Sequence, residues 1–336
     1  MVSVLEDAIA RARRQIVRDE APIRQRLHRA YRDALEALSS DLETVTTMIA
    51  EARHAGTPVS PDWLRRQDRY RQLIAHVEIE YARFAELGVR LLRDGQVAAV
   101  SGGAHTAPEL LRAAGITTFG VTVNVPAVEQ LVSALQPGSP VREVLEAYGP
   151  HVARIVNDEL VAGIIEGRSP REIVRAIRQR AISGTNRARL ESLVRTEMLR
   201  AFRGSLYEQM VAHKRPGDKW RRTAAKDTRT CLACLATDGE LSDDVPTRFH
   251  IRCRCIFHLV PKGSAIPYER GVDWFARQSE TTQLLMMPSV EAFNAYRRGD
   301  VTLMDFVGVK RSRVWGASIY QRSGRDAIAR AKVRAA

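Results

Sequence analysis

The sequence contains few aromatic side chains, few cysteines and no long apolar segment. Aromatic residues make up 6% of its 336 residues, which favours a core of Leu, Val, Ile and Ala on packed helices. No run of about 18 apolar residues occurs, so neither a membrane-spanning helix nor a membrane partner is expected. Residues 1–15 are rich in charged side chains and lack the apolar stretch of a secretory signal, so such a signal is not expected either.

Sequence motifs of common enzyme classes are also missing. There is no Gly-rich phosphate-binding loop with its lysine, and no serine on a nucleophile elbow. The His-x-Glu and Pro-Cys-x-x-Cys elements of a zinc deaminase are absent. A thioredoxin-type cysteine pair would need a βαβ unit, which the mostly helical pattern does not supply. We therefore expect a protein without catalytic residues.

Acidic side chains are outnumbered, because 52 Lys and Arg face 39 Asp and Glu and leave a net charge of +13. Most of the basic residues are Arg, whose planar fork pairs with phosphates and carboxylates. Residues 168–195 and 310–334 are Arg-rich stretches. The excess favours contact with a polyanion, either double-stranded DNA bound without sequence preference or an acidic protein surface. A solvated basic surface without a partner is the alternative.

Apolar residues recur at three-, four- and seven-residue spacings over residues 4–53 and again up to residue 93, which predicts two long helices. Ser60 is expected to cap the second helix, with Pro61 at its first position. A short Gly/Pro turn separates the two patterns. We therefore predict a long helical hairpin over residues 1–94.

Proline and glycine predict interruptions in this pattern. Pro22 is expected to end or kink the first helix near Glu20. Gly102-Gly103 and the β-branched residues 119–125 predict a mixed connecting region over residues 95–150.

Helical periodicity resumes after the connecting region. Ser169 and Glu172 form a capping-box pattern at the start of one of these helices. The helices and a turn-rich cysteine module make up a predicted segment of residues 151–262. Short helices and a basic tail from Lys310 make up residues 263–336. The predicted fold class is mainly α with a small α+β cysteine-rich module: the N-terminal helical hairpin, then a helical bundle and a compact Cys/His knuckle.

The four cysteines lie close together, as Cys231-x-x-Cys234 and Cys253-x-Cys255, with His250 just before the second pair. Two thiolates on a tight turn can share one tetrahedral Zn²⁺ ion with a second pair brought across a hairpin. Four thiolates, or three thiolates and His250 as the alternative ligand, would each complete a structural zinc site. Four packed thiols, or a disulfide formed after release from the cell, are the alternatives.

Several separate features of residues 155–260 occur in the order found in the phage Mu F-like head morphogenesis domain. The chain resembles this minor head protein family of tailed phages at Arg195-Thr196-Glu197, Trp220, Asp227, Cys231, Cys234, Asp238-Gly239, Pro246 and His250-Ile251-Arg252-Cys253-Arg254-Cys255. Trp274-Phe275, Gln283, residues 295–299 and Trp315-Gly316 are similar to the C-terminal extension of such proteins. Residues 1–150 are similar only in being helical.

The resemblance implies a structural minor head protein, incorporated in few copies into the procapsid near the portal and acting in head assembly and in genome packaging or delivery. The implied partners are the portal protein and the major capsid or scaffold proteins. The implied location is the virion, in the head interior or portal region, after assembly in the host cytoplasm. The resemblance implies no catalytic residue.

The residues that carry the resemblance also have structural interpretations. Glu197 is expected to be a solvated or locally paired charge, or else to pair with Arg252 or Arg254. Trp220 is expected to cover the cysteine module, and stacking on nucleic acid is the alternative. Asp227 is expected to cap the turn before Cys231, and Asp238-Gly239 to form a hairpin turn.

Two other function classes remain as alternatives. A zinc-supported DNA-processing nuclease would need catalytic residues besides the metal ligands, and His258 and Asp227 are the nearest candidates. A sequence-specific DNA-binding regulator would need a recognition helix, and no helix-turn-helix pattern is recognisable.

Overall fold

The computed structural model describes residues 4–118, 140–312 and 316–335. Its α-helices are α1 (Val4–Glu36), α2 (Ser39–His54), α3 (Pro61–Arg65), α4 (Asp68–Ala113), α5 (Pro140–Glu146), α6 (Tyr148–Glu166), α7 (Pro170–Ala181), α8 (Gly184–Val211), α9 (Leu232–Ala236), α10 (Gly271–Ala276), α11 (Glu280–Met286), α12 (Val290–Arg297) and α13 (Gly324–Ala335). Its strands are β1 (Lys219–Thr223), β2 (Leu241–Ser242), β3 (Ile256–Val260), β4 (Val307–Ser312) and β5 (Gly316–Gln321). A 3₁₀ turn spans Leu303–Phe306.

The predicted fold class is confirmed: the described chain is mainly α-helical, and its short strands lie close to the cysteines. The extended segment predicted at residues 119–125 lies outside the described residues, as does Trp315. None of the described helices is long and apolar enough to span a membrane.

Helix starts follow the local sequence. The Ser60 side chain accepts a hydrogen bond from Trp63 N at 3.1 Å, and Pro61 occupies the first turn of α3. At α7, Ser169 Oγ accepts from Glu172 N at 3.4 Å, while the Glu172 carboxylate accepts from Ser169 N at 2.8 Å. This reciprocal pair is the predicted capping box, and it satisfies two backbone donors that a helix start otherwise leaves unpaired.

Pro22 lies inside α1, which continues to Glu36, so of the two predicted outcomes near Glu20, an end or a kink, the end does not occur. A proline in a helix interior removes one backbone hydrogen bond and costs about 3 kcal/mol. Ile16, Ile23 and Leu27 on either side of it are each no more than 7% exposed. Burial of each such side chain contributes roughly 1.5–3 kcal/mol, so packing outweighs the cost of the proline.

Helix α4 runs through Gly102-Gly103 to Ala113, so the interruption predicted there is wrong. A Cβ atom on Gly103 would lie 2.6 Å from Phe202 O and 2.8 Å from Ser205 Cβ, both of α8. Ser205 Oγ also donates to Val100 O at 2.7 Å. Gly103 is therefore a position of close helix–helix approach within a continuous helix.

The chain divides into two compact units that are not continuous in sequence. One, here called the helical unit, comprises Asp19–Gly95 and Val132–Arg195; the other, the module unit, comprises Met1–Arg18, Gln96–Leu131 and Thr196–Ala336. The four consecutive segments inferred from the sequence stay a prediction.

The helical unit is built around a small aromatic cluster. Tyr31 of α1 contacts Tyr81, Phe84 and Tyr148 edge-on, with ring centroids 5.4–5.5 Å apart. Tyr31 Oη also donates to Ala181 O at the end of α7, at 2.9 Å. Edge-to-face pairs add about 0.5–1.5 kcal/mol each beyond their buried area, so the scarce aromatic residues stabilise the point where four helices meet.

The module unit contains two antiparallel sheets. In the first, with order β2-β1-β3, Trp220 pairs with Leu259 and Thr223 with Ile256. In the second, β4 pairs with β5. The short helices of this unit share an apolar core. Its fully buried members are Leu232, Leu235, Phe275, Ala292, Phe306 and Ala327.

The described residues from Lys310 onward, 310–312 and 316–335, are part of this folded unit, so the prediction of a basic tail is wrong. Ala327 and Ala331 of α13 are 0% and 4% exposed. Arg322 Nε donates to Val307 O at 2.9 Å, and Arg334 pairs with Asp305 at 3.0 Å. Alanines on one face of α13 pack inward, while its arginines face outward. The high arginine content of the segment suggested a tail because it does not show this division into two faces.

Candidate metal centre

The two halves of the cysteine pattern are positioned by a short helix and a strand. Cys231 is the N-cap of α9, and its carbonyl accepts hydrogen bonds from Cys234 N and Leu235 N at 3.0 and 3.1 Å. Cys253 and Cys255 directly precede β3, which pairs with β1 over five residues. The sheet and the tight turn therefore bring the two pairs together, as the spacing predicted.

The five candidate ligands form two overlapping groups that share Cys234. The ligand atoms of Cys231, Cys234 and His250 all lie within 4.8 Å of one another, and so do those of Cys234, Cys253 and Cys255. His250 Nε2 is 3.3 Å from Cys231 Sγ and 3.0 Å from Cys234 Sγ, and Cys234 Sγ is 3.7 Å from Cys253 Sγ. These groups could hold a metal ion.

The imidazole of His250 is oriented by its neighbourhood. Its Nδ1 lies 2.7 Å from Ile251 O, which fixes Nδ1 as a donor and turns Nε2 toward the sulfurs. Cys253 N donates to His250 O at 3.0 Å, with Arg252 between them at a positive φ of 63°. Arg252 N donates to Thr196 Oγ1 at 3.1 Å, which supports this turn.

Burial and mutual contact shift the titration of the cluster. A hydrogen bond from Cys234, helped by His250, lowers the pKa of the Cys231 thiol to about 5 although its burial acts in the opposite direction. Burial lowers the pKa of His250, but hydrogen bonds to Cys231 and Cys253 outweigh burial and raise that pKa to about 10. The surroundings thus favour a thiolate at Cys231, and the thiolate is the form that binds metal.

Two buried guanidinium groups lie against the cysteines. Arg222 Nη2 is 3.7 Å from Cys234 Sγ and 3.8 Å from Cys253 Sγ. Arg203 donates to Cys255 O at 2.9 Å and to Cys253 O at 2.5 Å. Both guanidinium groups stack on Phe249, at 3.9 Å for Arg203 and 4.6 Å for Arg222.

Neither guanidinium has a carboxylate within 4 Å among the residues that the structure describes. A buried cation needs a compensating negative charge. The sulfurs are the groups positioned to supply it, as thiolates. Sequence reasoning missed Arg203, Arg222 and Phe249, because nothing in their local sequence separates these two arginines from the other basic residues of the chain.

Asp227 and Arg254, both recognised in the sequence, pair with each other. Arg254 donates two hydrogen bonds to the Asp227 carboxylate, at 2.5 and 2.6 Å. Asp227 Oδ1 also accepts from Arg229 N and from Thr230 Oγ1, each at 3.0 Å. Burial raises the pKa of Asp227, but the Arg254 guanidinium and these donors outweigh it and hold the pKa well below its usual range. Asp227 is a turn cap, as predicted, and also an ion-pair partner.

The pairing of Glu197 with Arg252 or Arg254 does not form. The Glu197 carboxylate is 1% exposed, accepts from Gln96 Nε2 at 3.0 Å and lies 3.5 Å from Arg200 Nη1. Arg254 is already engaged by Asp227. Arg200, three residues after Glu197 on the same helix, is the kind of local partner that the sequence predicted. Gln96 is 101 residues away in the sequence and could not be predicted.

Trp220 and Asp238 are both buried. Trp220 is 2% exposed and packs edge-on against Phe257 at 5.4 Å, so its ring does not face solvent for stacking on a base. Asp238 is fully buried, and its Oδ1 accepts from Ala224 N and from Tyr268 Oη, both at 2.6 Å. Gly239 follows it with a φ of 82°, the left-handed conformation that a turn requires and that glycine adopts readily.

The two residues considered for nuclease catalysis are both engaged in the fold. His258 lies in β3, is 1% exposed, and has a pKa lowered by burial to about 4. Asp227 is held by Arg254. The buried cysteines, with His250 as a further donor, can supply a complete set of four ligands, which is typical of a structural rather than a catalytic zinc site.

Residues 154–258 match the family model described as Phage Mu protein F like protein. The match begins in α6, ends in β3, and includes the residues recognised from Arg195 to Cys255, among them the four cysteines and His250. It confirms the recognition over this segment. No curated protein and no solved structure matches the chain. Residues 154–258 of this chain therefore form a Phage Mu F-like segment, and the matched family is one of phage head morphogenesis proteins.

Proposed function

We propose that the chain is a structural minor head protein of a tailed phage, incorporated near the portal during head assembly, and that its site is a metal-stabilised module rather than a catalytic centre. The observation that carries the proposal is the family match over residues 154–258, within which the recognised residues form buried or paired contacts. Arg195 binds the buried Glu20, and Arg254 binds Asp227. Such contacts stabilise a scaffold, and they leave none of these residues exposed as an acid, a base or a nucleophile.

A structural Zn²⁺ ion in the cysteine module belongs to this proposal. The module unit has short strands and short helices around the cysteines, and a bound ion supplies folding free energy where an apolar core is small. The support is that the ligand atoms of Cys231, Cys234 and His250 form one close group and those of Cys234, Cys253 and Cys255 a second, overlapping group, beside two buried arginines.

The test of the head role is incorporation. Heads are assembled in cells from the coat, scaffold and portal proteins of the phage that encodes the chain, with and without the chain, and their composition is read by gel electrophoresis and mass spectrometry. We expect the chain in purified heads and its loss from heads assembled without portal protein. Absence from heads would contradict the proposal, and portal-independent incorporation would contradict the portal location.

Point variants suit this experiment better than removal of the N-terminal helices. Arg13 of α1 is half-buried in the module unit and donates to Thr223 O at 2.9 Å and to Ala224 O at 2.5 Å. A truncation would therefore also disturb the strand that positions the cysteine module, and a loss of incorporation could not be assigned to a docking surface.

Non-specific DNA contact is the second part of the proposal, and a basic groove in the helical unit supports it. The groove lies between α2 and α7 and has a volume of about 630 Å³. Its charged lining residues are three arginines and one carboxylate, namely Arg171, Arg175, Arg178 and Glu43. Arg171 and Arg175 are exposed, and no carboxylate lies within 4 Å of either among the described residues. Unpaired arginines on one helix face can pair with phosphates without reading sequence.

The DNA test compares two double variants of equal charge. Arg171→Gln/Arg175→Gln should weaken duplex binding and reduce the slope of log K against log salt by about 2, or about 1 per phosphate contact removed. The control is Arg65→Gln/Arg71→Gln, which removes two exposed arginines that already pair with Asp62 and Asp68. Equal binding by both variants at every salt concentration would contradict a DNA contact at this groove.

A further inference from the structure

We propose that the metal ion is held by Cys231, Cys234, His250 and Cys253, that Cys255 is not a ligand, and that Arg222 balances the charge of the ligand sulfurs. This inference rests on the structural metal site proposed above and names its ligand set. It goes beyond the sequence pattern, which allowed four thiolates as readily as three thiolates with one imidazole.

The distances fit a tetrahedral ion with three sulfurs and one nitrogen. Bond lengths of about 2.3 Å to sulfur and 2.0 Å to nitrogen put ligand atoms about 3.8 Å apart for two sulfurs and about 3.5 Å apart for a sulfur and a nitrogen. Cys234 Sγ and Cys253 Sγ are 3.7 Å apart, and His250 Nε2 is 3.3 and 3.0 Å from the sulfurs of Cys231 and Cys234. Cys253 Sγ lies outside the 4.8 Å group that the other three form, so the loop that carries Cys253 would move toward Cys231 and His250 to complete the tetrahedron.

His250 is also prepared for ligation by its own backbone. The hydrogen bond between Nδ1 and Ile251 O keeps the proton of a neutral imidazole on Nδ1, so that Nε2 is the nitrogen available to bind an ion. Metal-binding histidines are commonly oriented by such an outer carbonyl. The turn that links His250 O to Cys253 N places the third and fourth ligands on one short segment.

The contact distances separate Cys253 from Cys255. Both sulfurs group with Cys234 and neither belongs to the group of Cys231, Cys234 and His250, but Cys253 Sγ lies 3.7 Å from Cys234 Sγ. Arg222 contacts the sulfurs of Cys234 and Cys253, while no N–H donor of the described residues lies within hydrogen-bond distance of the Cys255 sulfur. Cys253 is therefore the member of the second pair that continues the close contacts formed by Cys231, His250 and Cys234.

Arg222 lies against two of the proposed ligand sulfurs, those of Cys234 and Cys253. Three thiolates and one imidazole around Zn²⁺ leave a net charge of −1, which the Arg222 guanidinium would balance at these sulfurs. Arg203 is used differently, because it binds the carbonyl oxygens of Cys253 and Cys255 and so fixes the backbone of the second cysteine pair. Arg222 is therefore a positioning residue of the metal centre rather than a ligand.

The experiment measures metal content and Co²⁺ absorption of the full-length protein. Cys255→Ala should retain one equivalent of metal and an unchanged Co²⁺ spectrum, since Cys255 binds no metal. Cys253→Ala should lower the sulfur-to-cobalt absorption in proportion to the thiolate lost. His250→Cys should retain the ion and shift the spectrum to that of four sulfurs, which shows ligation even where His250→Ala does not fold.

Arg222→Gln should weaken metal binding about tenfold in chelator competition, the size expected for loss of an outer-shell partner, and shift the cobalt charge-transfer band. Arg221→Gln, one residue earlier on the opposite face of β1, is the matched control. Loss of metal or a changed spectrum in Cys255→Ala, with His250→Cys unaltered, would overturn the ligand set in favour of four cysteines. A wild-type protein that binds neither Zn²⁺ nor Co²⁺ with its thiols reduced would overturn both this inference and the metal site, whereas head incorporation separately tests the proposed assembly role.

Discussion

Arg254 and Asp227 are joined by two parallel hydrogen bonds, from Nη1 to Oδ2 at 2.5 Å and from Nη2 to Oδ1 at 2.6 Å. Arg254 stands between Cys253 and Cys255, and Asp227 stands four residues before Cys231. The pair therefore ties the two halves of the cysteine module to each other, and the two hydrogen bonds restrict the relative orientation of the two loops.

Asp227→Asn should loosen this module. Asn keeps the turn cap but loses the charge and one acceptor for Arg254, and because Asp227 is partly exposed the loss should be about 1 kcal/mol. Chemical denaturation measures it, and hydrogen exchange over residues 220–260 locates it. Asp243→Asn is the control, because Asp243 forms an exposed ion pair with Lys219 of β1, at 2.7 Å. Equal stability of the two variants would show that the Asp227 pair does not hold the module.

Glu20→Ala should destabilise the helical unit strongly. The Glu20 side chain is 2% exposed and accepts from Arg195 Nε at 3.0 and 3.1 Å, with a further contact from Nη2. Removing one partner of a buried ion pair leaves the other charge without compensation and costs about 3–5 kcal/mol.

The double variant Glu20→Met/Arg195→Met should regain most of that loss, since it removes both charges and keeps apolar volume. Glu36→Ala, also on α1, is the control, because Glu36 and its partner Arg178 are both exposed. Urea denaturation of the four proteins is the measurement. A double variant no more stable than Glu20→Ala would mean that the side-chain volume of Glu20, rather than its charge, is what α1 needs.

Gly103→Ala should destabilise the module unit, although alanine is the better helix former by about 1 kcal/mol. The added Cβ would approach Phe202 O to 2.6 Å, and a backbone oxygen cannot turn away. Overpacking of this kind costs about 1–3 kcal/mol, so a net loss is expected. Gly184→Ala at the start of α8, where nothing lies within 4 Å, should be neutral or slightly stabilising. Thermal melts of both variants distinguish the two outcomes.

His258 should make stability fall on acidification between pH 6.5 and 4. Burial, with Arg221 of β1 and Arg13 of α1 nearby, lowers the pKa of His258 in the folded protein to about 4, from 6.5 in the unfolded chain. Below pH 6.5 the unfolded state therefore takes up the proton first, and stability is lost until the pH reaches about 4. The full loss is about 3 kcal/mol.

His258→Gln should remove this component. Urea denaturation of the wild type and the variant at several pH values between 7 and 4 measures it, and the difference between the two proteins cancels any acid sensitivity of the cysteines. The two stability curves should converge as the pH falls. Curves that stay parallel over the whole range would show that His258 keeps its ordinary pKa in the folded state.

Local features of the fold were predictable where neighbours in sequence decide them. Ser60 and Ser169 cap their helices because each side chain reaches a backbone N–H three residues on, whatever the rest of the chain does. The Cys231-x-x-Cys234 turn is local in the same sense. The sequence left open whether His250 is a metal ligand, because the answer depends on how closely two loops that are separate in the sequence approach each other.

Several errors have a common physical origin in packing between distant residues. The helix through Pro22 continues because burial of its apolar face outweighs one lost hydrogen bond, and α4 continues through Gly103 because α8 fits against it. Composition over residues 310–334 suggested a tail, yet Ala327 and Ala331 are buried. Local propensity amounts to about 1 kcal/mol per residue and is readily overruled by such burial.

The sequence by itself determined the mainly helical class, the basic charge, the helix caps, the clustered cysteines and the family of residues 154–258, because each depends on residue type and short spacing. Only the tertiary structure decided which arginines are buried against the cysteines, and that Arg254 binds Asp227 rather than Glu197. Arg203 and Arg222 look like any other arginines in the sequence. Burial and the distance to a partner separate a structural cation from a solvated one, and both are set by segments far apart in the chain.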